Sequence, residues 1–245
     1  MTGLYEPTQG EIEMFGINMH EEFEYCRKFM GVCPQHDVLF ELLTPQEHME
    51  IFYDFKCEDR DPVKKRIEIA KLLKDLGVAD KKNDLAGQLS GGNQRKLSVG
   101  LALCGGSKFV VFDEPTAGMD LSARRQTWTA LREYKKDRII LLTTHYMDEA
   151  DILGDRIGIM SAGSLVCLGS SMFLKRKYGV GYNMTMLKTS KEPNDLVMPY
   201  FVRKLGPECK KISEIQSEIT LQIPKEYSDK FKKFFSQFDH DLEKL

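Results

Sequence analysis

Unbroken apolar runs at 109–112 and 139–142 predict strands buried on both faces, hence a parallel sheet between helices. A similar run at 29–34 predicts another strand, broken by Pro34, which leaves Gln35 in a loop. Helical signals lie between them. Thr44-Pro45-Gln46-Glu47 opens a helix in which Thr44 caps, Pro45 suits the first turn and Glu47 completes a capping box. Asp61-Pro62 opens a second, with Ile67, Ala70, Leu73 and Leu76 on one stripe and Gly77 as its stop. A third is predicted to begin at Asn93, directly after Ser90-Gly91-Gly92, and a crossover helix fills 121–136. Near the start, a turn over 6–10 leads into a short strand at 11–15.

Apolar stretches at 157–160 and 165–168 flank Ser161-Ala162-Gly163-Ser164 and predict a hairpin. Beyond about Lys175 the character changes. A strand at 182–188, a helix at 195–205 and strands at 211–216 and 218–223 follow, the last alternating at Ile219, Leu221 and Ile223. An amphipathic helix over 227–245 carries Phe231, Phe234, Phe235, Phe238 and Leu242. This βαββα order wants one more strand to close a split-βαβ layer.

Composition narrows the class. At 245 residues the chain holds one large domain or two small ones, and 42% hydrophobic with 29% charged residues is ordinary for a soluble globular protein. A net charge of -2 gives no support for a nucleic-acid or anionic-membrane partner. Cysteines at 26, 33, 57, 104, 167 and 209 have neither paired nor metal-like spacing and read as reduced, mostly buried thiols. No apolar run approaches the roughly 18 residues of a membrane span. No signal-peptide pattern opens the chain, so any membrane link is expected through other segments.

Candidate chemistry concentrates between Leu89 and His145. Leu89-Ser90-Gly91-Gly92-Asn93-Gln94 precedes a helix, whose N-terminal N–H groups and dipole favour an anion, and two glycines allow close backbone approach to phosphate oxygens. The bland alternative is a serine-capped helix. Asp113-Glu114-Pro115 ends the strand 109–112, at the sheet edge where parallel α/β proteins bind ligands. One carboxylate there can hold Mg2+ and its neighbour can polarise an attacking water. His145 follows the strand 139–142 and the pair Thr143-Thr144, where its imidazole can bond a γ-phosphate. Gln35 can ligate Mg2+, although a lone loop glutamine is ordinarily just solvated.

In order and spacing these residues resemble the ATP-binding cassette (ABC) ATPases. Gln35 looks like the Q-loop, 89–94 the signature motif, Asp113-Glu114 the Walker B pair, Ala117-Gly118-Met119-Asp120 the D-loop and His145 the H-loop. Three segments carry a finer resemblance to subfamily A, the transporters associated mainly with lipid movement. They are Gly31-Val32-Cys33-Pro34-Gln35-His36-Asp37-Val38-Leu39-Phe40, Arg95-Lys96-Leu97-Ser98-Val99-Gly100 and Asp113-Glu114-Pro115-Thr116-Ala117-Gly118-Met119-Asp120. Tyr178-Gly179-Val180-Gly181-Tyr182 and the tail resemble that subfamily's regulatory extension.

The resemblance implies an α/β fold: a P-loop NTPase-like ABC sheet with an inserted helical subdomain, then a small α+β (βαββα) regulatory extension. The ATPase domain is expected over 1–175, with its helical subdomain at about 38–105, and the extension over 176–245. The cofactors implied are ATP and Mg2+. Gln35 and Asp113 would arrange the metal, Glu114 the hydrolytic water and His145 the γ-phosphate. Ser90, Gly91 and Gly92 would contact ATP held by a second, head-to-tail nucleotide-binding domain, and Asp120 would carry signals across that dimer. Further partners implied are the transmembrane domains of the same transporter, at the cytoplasmic face of a membrane, with no nucleic acid.

One departure matters. No G-x-x-x-x-G-K-[ST] loop and no Gly-Lys dipeptide occurs, so the family segment reads as cut before residue 1, without its Walker A loop. The isolated chain is therefore expected to bind Mg-ATP weakly and not to hydrolyse it. Two other readings stand beside the transporter: a noncatalytic cassette lending its signature motif to a partner ATPase, and a soluble ABC ATPase.

Overall fold

The computed structural model describes residues 2–57, 61–187, 196–215 and 217–241, which form two compact units, Met1–Asp155 and Arg156–Leu245. The first unit opens with a hairpin of β1 (Glu13–Met14) and β2 (Ile17–Asn18), shorter than the expected strand at 11–15 because Phe15 and Gly16 turn the chain at positive φ. Helix α1 (Phe23–Arg27) leads into β3 (Met30–Cys33). Helices α2 (Pro45–Lys56), α3 (Pro62–Asp75) and α4 (Gly91–Leu103) follow, then β4 (Phe109–Asp113), α5 (Leu121–Tyr134), β5 (Ile139–Thr143) and α6 (Met147–Leu153). Strands β3, β4 and β5 form a parallel sheet in that order, with β4 central.

The helix starts obey their local sequence. Thr44 Oγ1 accepts the Glu47 N–H over 3.2 Å and Glu47 returns a carboxylate oxygen to the Thr44 N–H over 2.8 Å, the expected capping box. Asp61 caps α3 through the Val63 N–H, and Gly77 ends it at φ +70°. The expected stripe on α3 is corrected: Ile69, Leu72, Leu73 and Leu76 are buried, while Ile67 and Ala70 are exposed. Helix α4 begins two residues before Asn93, because Ser90 already serves as its N-cap. Its far end is capped from outside, where Lys56 Nζ donates to the carbonyls of Leu101, Ala102 and Cys104 over 2.9–3.4 Å and to Ser107 Oγ. Gly31 lets β3 press against α4, since a Cβ there would sit 1.9 Å from the Ala102 carbonyl oxygen.

One core joins helices to sheet, containing Met49, Leu72, Leu97, Val110, Phe112 and Leu131. The buried run at 109–112 is found as expected in β4. Strand β5 is corrected: it pairs on one side with β4, and Ile139 and Leu141 are exposed, so it is not buried on both faces.

The second unit contains the hairpin β6 (Ile157–Ser161) and β7 (Ser164–Gly169), turned by Ala162 and Gly163 at positive φ. Then come α7 (Ser171–Tyr178), β8 (Tyr182–Leu187), α8 (Val197–Lys204), β9 (Lys210–Glu214), β10 (Glu218–Ile223) and α9 (Phe231–Asp241). The sheet is antiparallel in the order β8-β10-β9. Ile219, Leu221 and Ile223 pack on Phe201, Phe234 and Phe238. Six residues of 3-10 helix, Lys225–Lys230, precede α9 where a continuous helix from 227 is expected. Expectations touching Lys188, Asp195, Gln216 and 242–245 lie outside the described residues. The unit that starts at Arg156 contains the hairpin β6–β7 and α7.

Candidate functional site

The parallel sheet delivers its carboxylates at the C-terminal end of β4. Asp113 is the last strand residue, and its Oδ1 accepts from Thr143 Oγ1 over 2.6 Å at the matching end of β5. Glu114 then leaves the strand at φ +48°, a left-handed conformation costly for a residue with a side chain. Its N–H is held by the Thr143 carbonyl at 3.1 Å and by Thr143 Oγ1 at 3.2 Å. That kink turns the Glu114 carboxylate to the end of β5, where its Oε1 lies 3.1 Å from His145 Nδ1. With Nδ1 engaged, Nε2 is the ring nitrogen left to face a phosphate oxygen. The Glu114 side chain is 26% exposed and the His145 side chain 57%, so the pair opens to solvent.

Gln35 is exposed in the loop after β3. Arg95 connects that loop to the carboxylates. It is buried on α4 and places all five of its N–H donors. Nη1 serves the Pro34 carbonyl and Asp37, Nη2 the Asp113 and Glu114 carbonyls, and Nε the Pro115 carbonyl. Beside it, burial pushes the Cys33 thiol up to about 12, which leaves it protonated and inert.

Ser90 caps α4, with Oγ 3.4 Å from the Asn93 nitrogen. A Cβ on Gly91 or Gly92 would meet nothing within 4 Å, so no packing inside the described structure demands glycine there. The first N–H groups of a helix suit an incoming anion. Asp120 caps α5, accepting the Ala123 N–H over 2.9 Å, and that bond lowers its carboxyl pKa below the usual value, with Lys96 adding attraction. Sequence reasoning gave no role to Arg95, Thr143, Thr116 or Glu149. The signal for Arg95 is a guanidinium in a helix whose next residues are all buried. Among the described residues no group of three or more His, Cys, Asp or Glu side chains converges to hold a metal.

The pattern of the family described as ABC transporter matches residues 1–117. The chain is 42% identical over 246 residues to the human phospholipid-transporting ATPase ABCA3, covering 100% of this chain and 14% of that protein. It is 40% identical over 268 residues to rat ATP-binding cassette sub-family A member 2, covering 100% of this chain and 11% of that one. It thus spans a small part of these relatives. Among solved structures, the ATP-binding subunit of an ABC transporter superposes with a TM-score of 0.64 at 24% identity, over 73% of this chain and 74% of that one. The dimeric cassette MJ0796, in a post-hydrolysis state bound to ADP and Pi, gives 0.62 at 24% identity, over 69% and 76%. These likenesses show the fold. With the family pattern over residues 1–117 and the match of the whole chain to a short stretch of sub-family A members, they identify the chain as an ABC cassette domain, consistent with a subfamily A nucleotide-binding domain.

Proposed function

We propose that this chain couples ATP binding and hydrolysis to transport across a membrane, with lipid as the cargo class and the cytoplasmic face as its station. The contact between Glu114 Oε1 and His145 Nδ1, at the strand ends beside Asp113, carries the reading. Lipid is supported by the name of one relative, a phospholipid-transporting ATPase, and a paired assembly by the dimeric cassettes of like fold.

The residues fit the groups implied. Asp113 and Gln35 offer hard oxygen donors of the kind Mg2+ takes, one or two from protein and the rest from phosphate and water. Bound there, Mg2+ would supply positive charge against the phosphate oxygens. Glu114 accepts a proton-bearing water and polarises it, while His145 Nε2 holds a γ-phosphate oxygen. Ser90, Gly91 and Gly92 contact a phosphate carried by a second nucleotide-binding domain, and Asp120 carries signals across that pair. Residues 176–245 serve as a regulatory extension. Without a phosphate loop of its own, the isolated chain does not turn ATP over.

Hydrolysis measured twice tests this: on the pure chain, and on the longest natural product that contains it. The expected result is none from the first, and from the second a saturable, Mg2+-dependent rate abolished by Glu114→Gln. Saturable turnover by the pure chain, or a fully active Glu114→Gln product, overturns the reading.

A further inference from the structure

Behind the Glu114–His145 contact lies a second tie between the same two segments. Thr116 stands two positions after Glu114, and Glu149 four after His145. Thr116 Oγ1 donates to Glu149 Oε1 over 2.8 Å, and Trp128 Nε1 of α5 donates to the same oxygen over 2.9 Å. Thr116 and Glu149 are fully buried and Trp128 nearly so. Glu149 Oε2 has no partner among the described residues. Burying a carboxylate with one oxygen unserved is costly, and an apolar residue of like volume would avoid that cost. What the carboxylate gains is two directional bonds that no apolar side chain can make.

Helix α5 grips α6 a second time, one turn earlier. The Arg124 guanidinium lies 4.3 Å from the Tyr146 ring centroid, and that ring is 4.1 Å from the His145 ring. Helix α5 is itself capped by Asp120. The turn after β4, the helix after β5 and α5 therefore meet at a single oxygen atom.

We propose that Glu149 is a positioning residue: its Oε1 sets the spacing between the two segments so that His145 meets Glu114. The proposal rests on reading that pair as the reacting groups, but its test is geometric. In the full chain with 15N-labelled histidine, the His145 Nδ1 signal at fixed pH reports the bond to Glu114, and emission from Trp128, the chain's one tryptophan, reports the buried oxygen. Glu149→Gln keeps an acceptor oxygen and is expected to keep the parent His145 signal. Glu149→Ala and Thr116→Val are expected to move that signal to its position in Glu114→Ala. If Glu149→Ala does not fold, Thr116→Val decides, since it removes one hydroxyl at nearly constant volume. An unmoved His145 signal in Thr116→Val with altered Trp128 emission overturns the proposal, as does a Gln variant that behaves like Ala. Failure of the ATP reading would show instead as missing hydrolysis in the longest natural product with the signals intact.

Discussion

Arg95 Nη1 lies 2.9 Å from Asp37 Oδ1, and the pair ties α4 to the loop that carries Gln35. The same guanidinium holds the carbonyls of Asp113 and Glu114, so three segments distant in sequence share one cation. Its removal strands Asp37 and four carbonyl groups. Arg95→Met is expected to cost about 3–5 kcal/mol, the range for breaking a buried pair. Asp37→Ala severs one bond and is expected to cost about 1.5–3 kcal/mol. Urea midpoints at neutral pH check both; equal losses would show that the carbonyl contacts contribute nothing.

The glycines at the start of α4 separate stability from function. Gly91→Ala and Gly92→Ala meet no atom of the described structure and stiffen the unfolded chain. Each is expected to raise stability by up to about 1 kcal/mol while lowering ATPase activity in an assembled pair of cassettes. Ser90→Arg is expected to lower the partner site's activity further. Full activity in all three would remove the signature turn from the proposed mechanism.

Alkaline stability has two opposing parts. Burial lowers Lys56 to about 8, below its ordinary 10.5, so its contribution is present above 10.5 and lost as pH falls through about 8. Burial raises Cys33 and Cys104 from 9.0 to about 12, so their contribution is present below 9.0 and lost as pH rises towards 12. Between pH 8 and 9 the Lys56 gain of about 1 kcal/mol is partly offset by the two thiols, so stability is expected to climb by only about 0.3 kcal/mol and to fall beyond. Lys56→Met should flatten the climb and leave the fall, which chemical denaturation across that window measures.

His145→Ala is expected to abolish turnover in the natural product while shifting stability by less than about 1 kcal/mol, because its side chain is more than half exposed and its contact with Glu114 is a surface one. A thermal melt beside the rate measurement distinguishes this from unfolding.

Local rules made much of this molecule legible. Thr44 with Glu47, Asp61 with Pro62 and the unbroken run in β4 each carry their signal within a few residues. The order of Gln35, Ser90, Asp113, Glu114 and His145 located the candidate chemistry. What escaped depends on neighbours far along the chain. Ile67 and Ile69 lie on opposite faces of the same helix, about 200° apart, and packing of α3 against α2, α4 and α5 selects the face with Ile69. Ile139 and Leu141 read as interior residues, yet they share one face of β5, and among the described residues nothing covers that face enough to bury them. Arg95 and Glu149 look like ordinary surface charges, because their burial is decided by carbonyls and an indole that no periodicity announces.

The two units keep separate interiors: the core around Leu72 and Phe112 is drawn from the first, and that around Phe201 and Leu221 from the second. Cooperativity in melting follows shared packing, so this chain is expected to unfold in two calorimetric transitions. A single melting temperature would then average unrelated quantities. Substitutions at Arg95 or Lys56 should move one transition, substitutions at Phe234 the other, and each half of the protein can be assayed in the presence of its neighbour.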